Sequence, residues 1–267
     1  MLETEIEVKK YYSESAKKWN ITRSIEIGDL SNQISDYILK KLNKNLDFKI
    51  KNLASIWKIA PVEYLSQNLA GGINTLTKII YERDKEFEAL YRFLCEKIIK
   101  MFNGDFVVQR VPTIRIHTST KEDTFYPQWH SDLILGHPVG TTNIWIPLTQ
   151  PNISEIHGFN LCEPETSYNF FKESSKLFSP YELLNNEKIT KSKKLLIESN
   201  PINTKTGFAT VFDSRCFHSA LPIYQHTRVS MDLRLIDKKY LNSPYPSFTG
   251  RGRKKAKFDT KNFYTEI

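Results

Sequence analysis

Gly104 divides this chain into two hydrophobic periods, and that division leaves few folds open. Before it, apolar residues recur about once per helical turn. Leu30, Ile34, Ile38 and Leu42 form one such stripe, with Asp29 or Ser31 available as its cap. After the Gly71-Gly72 break, Ile73, Leu76, Ile80, Phe87, Tyr91, Leu94, Ile98 and Met101 keep helical spacing and predict one long helix closed by Gly104. Beyond Gly104 the period becomes two. Val107-Val108, Thr113–His117, Asn143–Leu148, Phe208–Phe212 and Arg228–Leu235 read as strands. In the last of these, Val229, Met231, Leu233 and Leu235 share one face. Arg228, Ser230, Asp232 and Arg234 share the other, which must meet solvent or line a polar cavity.

Helices first and strands later predict an α+β fold. The strands are short and separated by turn residues, which favours a sandwich or jelly roll with the N-terminal helices packed on one sheet. Residues 163–206 are rich in Ser, Asn, Lys and Glu and interrupt the strand pattern. They read as an insertion, part loop and part helix, with a short helix near Pro180–Leu184. The expected organisation is a helical part at 1–104, a β core at 105–240 carrying that insertion, and a basic tail at 241–267.

Composition narrows the function classes. Hydrophobic residues make up 40% of the chain and charged residues 25%, a globular balance that excludes wholesale disorder and collagen-like fibre. No apolar run approaches the roughly 18 residues of a membrane span. The acidic start, Met-Leu-Glu-Thr-Glu-Ile-Glu, lacks the basic-then-apolar order of a secretory signal. Cys95, Cys162 and Cys216 are odd in number and scattered, so neither a disulfide framework nor a structural zinc site is indicated, and buried free thiols in a cytoplasmic protein are expected. The net charge is +8, and residues 251–267, with six basic and two acidic residues, carry half of it. That cluster is a solvated tail, or a contact for nucleic acid or for the phosphates of an anionic substrate.

Three features of the β region carry chemistry. In His130-Ser131-Asp132, the two outer side chains point the same way on an extended segment and can meet one metal. His218, after the strand that Gly207 opens and Asp213 closes, supplies a second imidazole. Two imidazoles and a carboxylate make a facial triad, which suits non-haem Fe(II) with open positions; a zinc hydrolase can also use such a set. Arg228 and Ser230 then share a strand face ten residues beyond His218. A guanidinium fork and a hydroxyl suit the far carboxylate of a 2-oxo diacid, which a water-activating zinc site has no need of.

Together, Pro127–Asp132, Asn143–Leu148, Gly207–Asp213, His218 and Arg228-Val229-Ser230 resemble the Fe(II)/2-oxoglutarate-dependent dioxygenases, closest to their phytanoyl-CoA-hydroxylase-like branch. His130–Leu148, with Gly136-His137-Pro138, resembles the StrG-like proteins of aminoglycoside and sugar biosynthesis. The resemblance covers about residues 105–240 and implies a double-stranded β-helix, a jelly-roll barrel. It implies Fe(II) on His130, Asp132 and His218, with 2-oxoglutarate and O₂ as co-substrates. It implies Arg228 on the distal carboxylate with Ser230 beside it, and co-substrate contacts from Asn143 and Trp145. Arg115, on an earlier strand, is a further candidate for co-substrate or an anionic substrate, or else makes a surface salt bridge. The substrate so implied is a small polar metabolite, a carbohydrate or a nucleotide-linked sugar. Asp132 fills the position that the family's halogenases leave open, which speaks against halogenation. Where the family often carries Gly-Ser-His, this chain reads Leu161-Cys162-Glu163-Pro164-Glu165-Thr166-Ser167, so Glu163 or Glu165 is a candidate to face substrate.

His117, His137, His157 and His226 have no partner at ligand spacing and are expected to be hydrogen-bonded or exposed. Two rival functions remain at this level: a non-catalytic jelly-roll binding module, and nucleic-acid binding through the tail. No membrane partner is expected, and the oligomeric state is not readable.

Overall fold

The computed structural model describes residues 22–65, 74–82, 84–118, 129–135, 137, 140–150, 158–174, 189, 191–221, 223, 226–241 and 260–267. Gly71-Gly72, His157, Pro180–Leu184 and the basic cluster 251–257 lie outside them.

Helix α1 (Leu30–Asn45) buries Leu30, Ile34, Tyr37, Ile38 and Leu42 along one stripe. The predicted long helix is two, α2 (Thr75–Tyr81) and α3 (Lys85–Ile99). The break is a new start: the Asp84 carboxylate accepts from the Phe87 amide as an N-cap, as Asn74 does from Thr77 for α2. The cap expected from Asp29 or Ser31 also differs. The Asp29 side chain makes no backbone cap bond and instead accepts from the Asn32 and Gln33 amides, while Ser31 Oγ accepts from Gly207 N.

The strands are β1 (Arg23–Glu26), β2 (Phe106–Gln109), β3 (Thr113–Thr118), β4 (Thr141–Pro147), β5 (Phe159–Cys162), β6 (Ser199–Ile202), β7 (Phe208–Asp213), β8 (His218–Ala220), β9 (Thr227–Asp237) and β10 (Tyr264–Thr265). They form two antiparallel sheets. The larger runs β1-β7-β4-β9-β2-β10, with β3 also paired to β9; the smaller runs β6-β5-β8. Two ends of the chain join the larger sheet unannounced by any strand pattern: β1 pairs with β7, and β10 pairs with β2.

The outer face of the larger sheet carries Ile114, Ile116, Ile144, Ile146, Val211, Val229, Met231, Leu233 and Leu235 in one cluster with the buried stripes of α1, α2 and α3. Burying each such side chain contributes about 1.5–3 kcal/mol, and this is the larger of the buried apolar clusters. The inner face meets the smaller sheet through aromatic rings. Trp145 and Phe212 each pack on Phe159 of β5, at centroid distances of 5.3 and 5.2 Å. The layers are therefore helices, larger sheet, smaller sheet.

The expected insertion needs correcting. Within 163–206 lie helix α4 (Pro164–Ser174), helix α5 (Lys193–Ile197) and strand β6, which pairs with β5 as part of the smaller sheet. The sequence Ser-Asn-Pro-Ile hides a strand because β6 is an edge: its outer side needs no apolar residue, and Pro201 is tolerated there. Glu163 and Glu165 are both exposed at the start of α4, where negative charge suits the helix dipole.

Candidate metal centre

His130 and His218 come from segments 88 positions apart, yet they sit directly opposite each other. Their backbones exchange both hydrogen bonds, His130 N to His218 O at 3.1 Å and His218 N to His130 O at 2.8 Å. In an antiparallel pair of that kind the two side chains project to the same side. The rings stand 4.3 Å apart between centroids. Asp132, two residues on, completes the group: one ligand atom from each of His130, Asp132 and His218 lies within 4.8 Å of the others. The three can hold a metal ion.

Local structure explains why. Beyond Asp132 the chain turns back on itself, with Leu135 N bonded to Ser131 O and His137 N to Asp132 O. The turn from β7 to β8 is tied by a buried ion pair: Asp213 Oδ1 accepts from Arg215 Nε and N, and Oδ2 accepts from Arg215 Nη2 at 2.7 Å. That turn also holds the Asp132 segment through Leu133 N to Ser214 O and holds β4 through Ser214 N to Thr141 O. Asp213 and Arg215 thus aim His218 and its partner strand together.

The ligand atoms are oriented as well. His218 Nδ1 lies 3.0 Å from the Cys216 carbonyl oxygen. A carbonyl only accepts, so Nδ1 carries the proton and Nε2 keeps the lone pair a metal needs. Asp132 is buried, which would raise its carboxyl, but the Arg234 guanidinium overrules burial and holds it well below the usual carboxylate range. Arg234 Nε and Nη2 each lie 2.7 Å from Asp132 Oδ2, and Nη1 donates to Gln109 Oε1 at 3.0 Å.

Apart from the partly exposed Asp232, the polar face of β9 lines the interior. Arg228, Ser230 and Arg234 are all buried there. Arg228 makes its hydrogen bonds to groups other than the three cluster residues. Its Nη1 donates to the carbonyls of Gly158 and Leu221, and its Nη2 to His117 Nδ1 at 3.3 Å. Burial and the nearby Arg228 and Arg115 charges push His117 well below the ordinary histidine range, so a neutral imidazole accepts that bond. Among the described residues Arg228 has no carboxylate in ion-pair contact, and burial pulls its guanidinium down to about 10. Gly158 is required where it stands, since a Cβ there would lie 1.7 Å from the Ile202 carbonyl oxygen. Arg115 pairs opposite Ser230 and forms a half-exposed ion pair with Asp232 at 3.2 Å.

Asn143 lies between Phe212 and Arg234 on the neighbouring strands, and those two touch the cluster: Phe212 packs on the His218 ring and Arg234 bonds Asp132. Asn143 Oδ1 is buried with no hydrogen-bond partner among the described residues. An orphaned acceptor of that kind costs about 1–3 kcal/mol. Trp145 is buried in the aromatic layer against Phe159.

Sequence reasoning missed the Arg234–Asp132 contact, the Asp213–Arg215 tie and the His117–Arg228 bond. Alternation placed Arg234 on the polar face, and the Asp-x-Arg spacing at 213–215 was in view. Nothing in one dimension says which carboxylate a given arginine meets. The three cysteines are free and buried, as expected, and burial raises the Cys95 and Cys162 thiols to about 12. Among the described residues no helix is long and apolar enough to cross a membrane.

No family model and no curated protein matches this chain. Among solved structures it is similar to a non-heme monooxygenase, ThoJ, in a nickel complex, with 12% identity over 96% of this chain and 88% of that one, at a TM-score of 0.47. It is also similar to EvdO2 from Micromonospora carbonacea var. aurantiaca complexed with 2-oxoglutarate, with 12% identity over 85% of this chain and 90% of that one, at 0.46. A third is the non-heme alpha ketoglutarate dependent epimerase SnoN from nogalamycin biosynthesis, with 10% identity over 94% and 97%, at 0.42. All three TM-scores lie below 0.5, so the functional assignment has to come from this chain's own side chains.

Proposed function

We propose that this protein is an Fe(II)- and 2-oxoglutarate-dependent oxygenase that oxidises a small polar metabolite. The observation that carries the proposal is the His130–Asp132–His218 cluster together with a buried guanidinium, Arg228 of β9 in the larger sheet, that has no carboxylate in ion-pair contact among the described residues. Two imidazoles and one carboxylate leave a six-coordinate metal three open positions, the number that a chelating 2-oxo acid and O₂ together occupy. A buried cation without a counter-ion is costly, and an anionic ligand relieves that cost. The order in which the chain visits the sheets also supports a double-stranded β-helix: β3 larger, His130 smaller, β4 larger, β5 and β6 smaller, β7 larger, β8 smaller, β9 larger.

In this reading His130, Asp132 and His218 hold the iron, which when bound supplies O₂ activation coupled to decarboxylation of 2-oxoglutarate. His218 is kept in its metal-binding tautomer by Cys216 O. Arg228 takes the far carboxylate, with Ser230 beside it on the same face. The orphaned Asn143 Oδ1 accepts a hydrogen bond from a bound group or water. Trp145 and Phe212 keep the inner wall dry around the reacting centre. Arg115, paired with Asp232 and half exposed, meets an anionic part of the substrate or co-substrate. The substrate class we favour is a carbohydrate or nucleotide-linked sugar, supported by the sequence resemblance of His130–Leu148 to StrG-like proteins.

The test is succinate release with Fe(II), ascorbate and 2-oxoglutarate across a panel of sugars and sugar nucleotides, comparing the native chain with His130→Ala and Arg228→Ala. Release that is absent from both variants supports the assignment. Release that survives His130→Ala removes the iron assignment, and no turnover of any kind in the native chain favours a binding module instead.

A further inference from the structure

The metal cluster contains a carboxylate with two oxygens, and one of them is engaged by an arginine. Asp132 Oδ2 accepts a hydrogen bond from Arg234 Nε and lies in ion-pair contact with Arg234 Nη2, at 2.7 Å each. The guanidinium thus engages the carboxylate on its Oδ2 side. Oδ1 is left for a metal. Arg234 is in turn held: its Nη1 donates to Gln109 Oε1, and Gln109 Nε2 donates to Thr113 Oγ1 and to the Val111 carbonyl. Gln109 itself sits in β2 between β9 and β10, with its backbone carbonyl taking the Tyr91 hydroxyl. Asp132, Arg234 and Gln109 are buried.

We propose that Arg234, braced by Gln109, is the positioning residue of the metal centre: by engaging Oδ2 it turns Asp132 so that only Oδ1 reaches the metal, in monodentate fashion. This inference rests on the metal-centre reading above and deepens it. A carboxylate free to rotate can chelate with both oxygens and close one of the positions that a chelating co-substrate and O₂ require. The arginine prevents that without touching the metal itself. It also keeps Asp132 from being a lone buried charge before metal arrives, so the ligand set is formed in advance of binding.

The test uses the full chain and Co(II), a redox-quiet probe with a visible spectrum, titrated anaerobically by calorimetry and absorbance. Arg234→Met removes both donors at similar length, Arg234→Lys keeps the charge but not the fork, and Gln109→Leu removes the brace without touching Asp132. The expected result is a Co(II) affinity about 10–100-fold lower in Arg234→Met, a smaller loss in Arg234→Lys, and the smallest in Gln109→Leu. The Co(II) visible bands should shift in the same order as the carboxylate changes its mode of binding. Should Arg234→Met fail to fold, the other two variants still give the ordered loss. An arginine that only stabilises the fold would lower the melting temperature and leave both affinity and bands of the folded protein unmoved, and that result overturns the proposal. A native chain that binds no Co(II) would bring down the metal-centre reading and the relay together; native binding with unmoved variants brings down the relay alone.

Discussion

The two faces of β9 are both largely buried, with Asp232 the partly exposed member, and do opposite things. Val229, Met231, Leu233 and Leu235 meet the helices in an apolar layer whose only requirement is volume and fit. Arg228, Ser230, Asp232 and Arg234, alternating with them, face the smaller sheet through specific polar partners: two carbonyls and a histidine for Arg228, Arg115 for Asp232, and a carboxylate and an amide for Arg234. One face holds the strand in place. The other uses that rigidity to hold charges at set positions, Arg234 against Asp132 and Arg228 against two carbonyls and a histidine. The lesson is that burial alone does not mark a core; what the buried groups bond to separates a packing face from a working one.

The sharpest way to break the comparison is at the ligands. His130→Ala should abolish Co(II) binding and succinate release while leaving the apolar layer, and hence the melting curve without metal, close to native. Calorimetric titration with differential scanning measures both. Next in size is the turn that aims His218. Asp213→Asn leaves the Arg215 charge buried without its partner and should cost about 3–5 kcal/mol by urea unfolding. On the outer face, Met231→Ala should cost about 2–5 kcal/mol by the same measurement, with unchanged Co(II) affinity for whatever remains folded. An altered affinity there would mean that the two faces are not separable.

A subtler contrast comes from the co-substrate. With Co(II) present, 2-oxoglutarate should raise the melting temperature of the native chain by mass action and leave that of Arg228→Met unmoved. Equal shifts in both would take the far carboxylate away from Arg228. The smallest effect concerns His117. Its pKa is near 6.5 when unfolded and well below that in the fold, so below pH 6.5 the unfolded chain binds the extra proton first. Its contribution to stability is therefore complete above pH 6.5 and is lost as the pH falls beneath it. His117→Gln should flatten that part of the stability profile, measured as melting temperature between pH 8 and 5.

Particular residues show where one-dimensional reasoning holds and where it stops. The two faces of β9 were legible because a strand has period two whatever surrounds it. The α1 stripe was legible because a turn of helix has 3.6 residues. Strand β6 was not, because an edge needs no apolar residue to mark it. The break at Asp84 was not, because helical spacing carries across it and only the cap reveals a second start. Asp29 offered a cap of the right type but bonds side chains instead, a choice among local partners that composition does not decide.

What the sequence determined by itself was the local pattern: which residues face which way, and that two imidazoles, a carboxylate and a guanidinium exist in an order suited to a metal and a diacid. Only the tertiary structure decided their meeting. His130 finds His218 through a pair of backbone hydrogen bonds between remote segments, and Arg234 rather than Arg228 or Arg115 finds Asp132, because sheet register sets which side chains are neighbours. Register is fixed by the packing of whole layers. Local propensity acts over a few residues and has no means of choosing it.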